Sequence, residues 1–248
     1  MANTYLTRTA TTPTNNKKLT ISLWCKRSGL DSSGTIGIIG FVNPSNAQTG
    51  TLQFRWKEDT FTTFFHSDST TRHNLVSSAK HRDVNGWYHC VMAVDTTQAT
   101  ASNRVKMYIN GEQITSFASS FETYPAQDTT YLDSGDILQV GRITFTGGDH
   151  HYLDGSLSHV HFCDGYAYAA SDFGSTDATT GEWKINTNPN VTYGTNGFFI
   201  LKDGNSVTDQ SGNSNNFTVG GGTLTKTEDC PSSVFATLNP LGGRNGSG

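Results

Sequence analysis

The stretch RVKMYINGEQITSF, residues 104–117, carries the clearest local signal for the fold. Two runs in which apolar and polar residues alternate flank the dipeptide Asn110-Gly111. Asn-Gly accepts positive φ at both central positions, which a type I′ turn requires. The stretch therefore predicts a hairpin of two antiparallel β-strands.

Strand patterns also precede and follow this hairpin. The runs LTISLWCK (19–26) and WYHCVMAVD (87–95) alternate with the period of half-buried strands. Further predicted strands are TIGIIGFV (35–42), TLQFRW (51–56), TFTTFF (60–65), DILQVGRI (136–143), LDGSLSHVHF (153–162) and NGFFILKD (196–203). Strands at intervals of roughly ten residues, joined by polar turns and without a long helix, predict an all-β antiparallel sandwich.

The predicted sandwich forms the central domain of the chain, between two polar extensions. We expect an extended N-terminal arm at 1–18, a jelly-roll domain at 19–222 and a C-terminal tail at 223–248 that is rich in Gly, Thr and Ser. The segment SVFATLNPL (233–241) carries the apolar residues of the tail. We predict that it docks into a groove on its own or a neighbouring sandwich, through the assembly contacts Val234, Phe235, Leu238 and Leu241.

Composition and charge exclude several classes of protein. The net charge of −4 is mild and the 17 Lys and Arg residues are dispersed, so nucleic-acid binding is not expected. No segment approaches the roughly 20 apolar residues of a membrane span, and the polar N-terminus does not look like a signal peptide. The four cysteines form no CxxC pair, which argues against a zinc site. Reduced thiols are expected because no export signal is seen.

The order of several motifs resembles the laminin G-like, concanavalin A-like jelly-roll superfamily. The resemblance covers about residues 19–165 and rests on SLWCKRS, GWYHCVMAVD, VKMYINGEQI, LQVGR and LDGSLSHVHFCDG, in that order. It implies a lectin-like sandwich. Some members of this superfamily bind calcium.

A narrower resemblance is to structural proteins of bacteriophages, many of them marine. It rests on an ordered series: HRDVNGWYHCVMAVDTTQATASNRVKMYINGEQI, DFGSTDATTGEW, YGTNGFFI, DQSGNSNNFT and EDCPSSVFATLNPL. It implies a virion protein, assembled in the host cytoplasm and displayed on the particle surface. Its partners would be other virion proteins and further copies of this chain.

The segment GGDHHY (147–152) is the main candidate for ligand binding. We expect it in a loop at one end of the sandwich, and loops carry binding function more often than strands do. Asp149, His150, His151 and Tyr152 combine flat rings with hydrogen-bonding groups, which suits a sugar. Trp56 is a further candidate stacking platform. An ordinary polar loop or a subunit contact is the alternative.

Two metal hypotheses remain open. Asp133, Asp136, Asp149 and Asp154 are weak calcium candidates, because calcium needs several oxygen ligands. Asx turns explain the same spacing. His159 and His161 alternate with inward-facing residues, so they form either a polar stripe facing solvent or another subunit, or two ligands of a metal.

Enzyme motifs are missing from the sequence. The ExDxxE motif of sandwich-fold glucanases, the GxSxG elbow and the P-loop are all absent. We therefore expect a non-enzymatic virion protein, either a capsid decoration or a head- or tail-fibre component, that can bind host-surface glycans. The alternatives are a tail adhesin for host polysaccharide and, third, a polysaccharide depolymerase. No cofactor is expected apart from the calcium left open above.

Overall fold

The computed structural model describes residues 3–30, 34–44, 51–67, 70–145, 149–202 and 206–231. Within these residues the regular elements are almost all β-strands, with two short 3-10 helices at Ala101–Asn103 and Ala170–Asp172. The strands are β1 (Tyr5–Thr9), β2 (Lys18–Arg27), β3 (Thr35–Val42), β4 (Thr51–Lys57), β5 (Thr60–Ser67), β6 (Thr70–Lys80), β7 (Tyr88–Asp95), β8 (Val105–Ile109), β9 (Glu112–Ile114), β10 (Phe117–Thr123), β11 (Ile137–Val140), β12 (Arg142–Thr144), β13 (His150–Tyr152), β14 (Gly155–Asp164), β15 (Gly174–Thr176), β16 (Trp183–Ile185), β17 (Phe198–Ile200) and β18 (Thr218–Gly221). None of the helices in these residues has the length and apolarity needed to cross a membrane.

Two large antiparallel sheets form the sandwich, which confirms the predicted fold class. The larger sheet has eight strands in the order β10-β6-β5-β4-β3-β11-β1-β18, and the smaller has six in the order β17-β14-β2-β7-β8-β9. Their inner faces share one hydrophobic core. On β2, the predicted inward residues Ile21, Leu23 and Cys25 are fully buried in this core.

The Asn-Gly hairpin forms as predicted. Asn110 and Gly111 join β8 to β9 with φ of 49° and 86°, the positive values that a type I′ turn needs. Glu58 and Asp59 join β4 to β5 with φ of 50° and 65°. Asp is among the few non-glycine residue types enriched at positive φ, and the carboxylate of Asp59 also pairs with the buried guanidinium of Arg27, 2.8 Å away.

The predicted N-terminal arm lies within the larger sheet. Its residues Tyr5–Thr9 form β1, which pairs with β11 on one side and β18 on the other. Leu6 is buried in the core at 2% exposure. The sandwich therefore starts at β1, before the boundary drawn at residue 19, because a single buried leucine and two ladders of backbone hydrogen bonds anchor an otherwise polar segment. The predicted tail contacts Val234, Phe235, Leu238 and Leu241 lie outside the described residues.

Two glycines on β3 allow a small hairpin, β12–β13, to pack on the outer face of the larger sheet. A Cβ on Gly37 would lie 2.3 Å from the carbonyl oxygen of His151, and one on Gly40 would lie 3.3 Å from Ile143 Cγ2. These glycines therefore allow His151 and its neighbours to approach the sheet. The expectation of a loop at residues 147–152 needs correction, because His150–Tyr152 form a strand paired with Arg142–Thr144.

The outer face of the smaller sheet is also covered. His159 and His161 are 2% and 1% exposed, so the predicted stripe facing solvent is wrong for this chain. The ring of His161 stacks on Phe199 with centroids 3.9 Å apart, and its Nδ1 lies 2.9 Å from the hydroxyl of Tyr193. A β-bulge between Ser158 and His161 also breaks the alternation on which the prediction relied.

Candidate functional site

A cleft of about 970 Å³ opens at the end of the sandwich where β3 begins and β11 ends. Four residues singled out from the sequence line it: His150, His151, Tyr152 and Asp154. The structure thus brings together most of the candidate binding residues. Asp149 is exposed beside the cleft, and its carbonyl oxygen accepts a hydrogen bond from the Phe145 amide at 2.7 Å.

Hydrogen bonds fix both histidines of the cleft. His151 Nδ1–H donates to the carbonyl oxygen of Thr35 at 3.2 Å. His150 Nδ1 lies 3.1 Å from the hydroxyl of Thr144, which itself donates to Gln139 Oε1 at 2.9 Å. Partial burial and the nearby charge of Arg142 lower the pKa of His150 below its usual value. Because the Thr144 hydroxyl gives its proton to Gln139, His150 Nδ1–H donates to the Thr144 oxygen, and Nε2 of the neutral ring is left as an acceptor for a ligand.

An aromatic pair forms a second part of the cleft. The rings of Tyr5 and Tyr152 have centroids 6.1 Å apart, and the guanidinium of Arg142 lies 3.6 Å above the Tyr5 ring. The contacts of Arg142 with both rings hold Tyr5 and Tyr152 in place at the cleft wall. Sequence reasoning missed Tyr5 because it treated the first 18 residues as an arm outside the fold.

The segment that follows β18 supplies another wall. Residues 223–230 line the cleft, and Asp229 fastens them to the smaller sheet. Its carboxylate bonds to Lys26 Nζ at 2.5 Å and accepts a hydrogen bond from Trp87 Nε1 at 2.9 Å. The hydrogen bonds from Lys26 and Trp87 lower the pKa of this carboxyl group. No local pattern marked this segment, since it reaches the cleft through the pairing of β1 with β18.

Comparison with known proteins identifies the family. The Laminin_G_3 family model, described as concanavalin A-like lectin/glucanases superfamily, matches residues 1–172. The chain belongs to this family. The resemblance seen in the motifs is confirmed at this level, and so is the lectin-like sandwich.

Several solved structures are similar to this concanavalin A-like chain at low sequence identity. A heptameric SAP-like pentraxin from Limulus polyphemus has a TM-score of 0.52 and 15% identity, covering 90% of this chain and 91% of that one. Tailspike protein 2 of bacteriophage CBA120, in its enzymatically active domain, has a TM-score of 0.46 and 13% identity over 68% of this chain and 25% of that one. Domains LG4-5 of mouse laminin α1 have a TM-score of 0.46 and 12% identity over 82% and 45%. No curated protein matches the sequence.

Trp56, which the sequence suggested as a stacking platform for a ligand, does not line the end cleft of the concanavalin A-like sandwich. Trp56 is only 1% exposed and belongs to the core, where its ring packs against Phe61 and Tyr88. It therefore cannot present a stacking face to a ligand. Its position at the end of β4, where the pattern alternates, places it on the inner face with Phe54.

The four calcium candidates do not form one cluster. Across the described residues no group of three or more His, Cys, Asp or Glu side chains has the geometry to hold a metal ion. Asp133 and Asp136 form a turn in which the Asp133 amide donates to Asp136 Oδ2 at 2.9 Å. Burial raises the pKa of Asp136 to about 6. Asp154, in contrast, lines the end cleft.

A buried Ser-His pair resembles a nucleophile and its base, but the hydrogen bond between the two side chains runs in the opposite direction, from the histidine to the serine. Ser22 Oγ lies 2.9 Å from His89 Nε2, and Trp183 Nε1–H donates to His89 Nδ1 at 3.0 Å. Because Nδ1 accepts, the proton of the neutral ring lies on Nε2, which must donate to Ser22. A catalytic base would have to accept the serine proton there. Both residues are also buried.

Proposed function

We propose that this protein is a non-enzymatic, carbohydrate-binding sandwich carried on the surface of a bacteriophage particle. The observation that carries the binding proposal is the end cleft, where Tyr5, Tyr152, His150, His151 and Asp154 meet. Sugars present apolar C–H faces and many hydroxyl groups. Tyrosine rings suit the faces, while fixed imidazole and carboxylate groups suit the hydroxyls.

The size of the cleft fits a short oligosaccharide. Small-molecule sites usually enclose roughly 300–1,000 Å³, and this cleft has about 970 Å³. Hydrogen bonds to Thr35 and Thr144 hold the two histidines before a ligand arrives. Such preorganisation lowers the entropy lost on binding. Several copies on one particle would raise a weak affinity through avidity.

The non-enzymatic part of the proposal has two supports. The ExDxxE motif of sandwich-fold glucanases is absent from the sequence. The buried Ser22–His89 pair is held by Trp183 in a tautomer that cannot activate the serine. The phage setting, with virion partners and self-association, rests on the ordered series of resembling segments in the sequence.

A glycan array with the purified protein tests the binding proposal. We expect binding to surface polysaccharides that weakens at least tenfold in Tyr152→Ala and stays unchanged in Tyr166→Ala. Tyr166 is a matched control because its ring stacks on Tyr168, away from the cleft. An array without any bound glycan, or equal binding by both variants, would refute the proposal. Release of reducing ends from a bound polysaccharide would show a depolymerase instead.

The position on the particle is tested separately. Electron cryomicroscopy of the phage should place the chain on the outer surface. Many copies over the capsid would indicate a decoration protein, and a few copies at the tail tip an adhesin. Absence of the chain from the particle would refute the virion assignment.

A further inference from the structure

A row of polar and aromatic side chains lies on the outer face of the larger sheet. Gln53 on β4 is paired with Phe64 on β5, and Phe64 is paired with Asn74 on β6. Arg55 and His66 belong to the same face because they lie two residues from Gln53 and Phe64. We call these five residues the Arg55 face.

Arg55 is a buried cation that has no counter-charge among the described residues. The residue is 6% exposed, and its guanidinium lies between the rings of Phe64 and Phe145, 5.5 and 4.9 Å from their centroids. Nη1 donates to Gln53 Oε1. Within the described part of the chain, no carboxylate forms an ion pair with Arg55. Burial lowers the pKa of Arg55 to about 10.

The free donors of Arg55 lie along one edge of the guanidinium. Nε is buried and lacks a hydrogen-bond partner, and Nη2 makes no hydrogen bond within the described residues. Nε–H and Nη2–H point in parallel, which matches two oxygens of a carboxylate, sulfate or phosphate. A buried charge is costly unless a partner of opposite charge compensates it.

Two further buried atoms on the Arg55 face have no hydrogen-bond partner within the part of the chain that the structure describes. They are His66 Nδ1 and Asn74 Oδ1. The ring of His66 stacks beside Phe64 with an interplanar angle of 13°. The face therefore combines a free cationic edge, unused polar atoms and flat apolar rings, a combination that suits an acidic sugar more than a simple inorganic ion.

We propose that Arg55 binds the anionic group of an acidic saccharide through Nε and Nη2, with Phe64 and Phe145 flanking the sugar. The saccharide part of this inference rests on the proposed function. The site is separate from the end cleft, but hydrogen bonds connect the two. Gln53 Nε2 donates to the carbonyl oxygen of Thr144 at 3.2 Å, and the Thr144 hydroxyl contacts His150. One chain could therefore contact an acidic polysaccharide at two places.

Nuclear magnetic resonance can follow this site directly through the Nε–Hε signal of Arg55. The protein would be titrated with sodium glucuronate, glucose 6-sulfate, inorganic sulfate and neutral methyl glucoside. We expect saturable shifts with the first two, because the carboxylate and the sulfate both present two oxygens to Nε and Nη2, and none with methyl glucoside. If only inorganic sulfate shifts the signal, Arg55 binds small anions in general, and the proposal that it binds an acidic saccharide is refuted.

Substitutions of Arg55 and Lys57 test whether the sugar needs the guanidinium fork or only a positive charge. Arg55→Gln should weaken binding of the acidic sugar at least tenfold, because a charge-assisted bidentate contact is lost. Arg55→Lys keeps the charge without the fork and should also weaken it. Lys57→Gln removes the same charge from the same strand face and should leave affinity unchanged. Circular dichroism checks the fold of each variant.

The outcomes separate this inference from the proposed function. If neutral and acidic glycans bind equally and only Tyr152→Ala weakens them, the function stands and the Arg55 site is refuted. If acidic sugars shift the Arg55 signal while Tyr152→Ala has no effect on any glycan, the end cleft is refuted and the Arg55 site stands. An Arg55 signal that responds to none of the anions refutes the site outright.

Discussion

Lowering the pH from 7 to 5 should destabilise the fold through two buried histidines. Burial lowers the pKa of His73 and of His89 to about 3. His73 Nδ1 lies 2.5 Å from the hydroxyl of Tyr131, and its buried Nε2 has no hydrogen-bond partner among the described residues. Both nitrogens of His89 are engaged by Ser22 and Trp183. Neither ring can accept a proton without disrupting these surroundings.

The direction and the size of the pH effect on stability follow from the difference between the pKa values of the folded and unfolded states. An unfolded histidine takes up a proton near pH 6.5, whereas these two stay neutral in the folded state until about pH 3. Their stabilisation is therefore complete above pH 6.5 and is lost as the pH falls below it. At pH 5, each histidine favours unfolding by about 2 kcal/mol, or about 4 kcal/mol together. Asp136, whose pKa is raised to about 6, opposes this by about 1 kcal/mol.

Urea unfolding at pH 7 and pH 5, at equal ionic strength, measures the difference. We expect a free energy of unfolding at least about 3 kcal/mol lower at pH 5, because burial also lowers the pKa of His161 well below its usual value and adds to the loss. In His89→Gln, whose amide can replace both hydrogen bonds, about 2 kcal/mol of that loss should disappear. Equal stability at both pH values would contradict the reasoning. A full pH dependence in His89→Gln would show that this imidazole does not titrate on unfolding.

Three further changes test the packing. Gly37→Ala places a Cβ 2.3 Å from the carbonyl oxygen of His151, so it should lower stability by about 1–3 kcal/mol and weaken glycan binding. Gly29→Ala, with nothing within 4 Å of the added Cβ, should leave the melting temperature unchanged; equal melting of the two variants would refute the tight packing of β12–β13. Trp56→Ala should cost about 3–5 kcal/mol in thermal or urea unfolding, and a near-normal melting temperature would be inconsistent with its place in the core. Asp209→Ala removes a carboxylate that accepts hydrogen bonds from the amides of Phe199, Ser211 and Asn215, so proteolysis between β17 and β18 should become faster; unchanged digestion would argue against that role.

The local part of the fold could be predicted from the sequence. The Asn110-Gly111 turn, the alternation on β2 and the hairpin at Glu58-Asp59 depend on neighbouring residues only. The pairing of β1 with β11 joins Leu6 to Val140, a contact that no local pattern encodes. The polar residues around β1 therefore predict an extended arm, whereas the structure places them in a strand of the larger sheet.

The candidate site could be predicted only in part, for the same reason. The sequence indicates His150, His151 and Tyr152 because three neighbouring residues there combine flat rings with hydrogen-bonding groups. Tyr5 and Asp229 reach the same cleft from the two ends of the described chain, through tertiary contacts. Trp56 has the right chemistry but lies on the inner face, and its residue type alone could not reveal that.

Hydrogen–deuterium exchange with and without a bound oligosaccharide tests the central claim most directly. If the end cleft holds the sugar, amide exchange should slow in residues 150–158 and 223–230, and the sugar should be recovered intact. Binding that slows exchange in neither segment, or a recovered sugar that has been cleaved, would contradict the account.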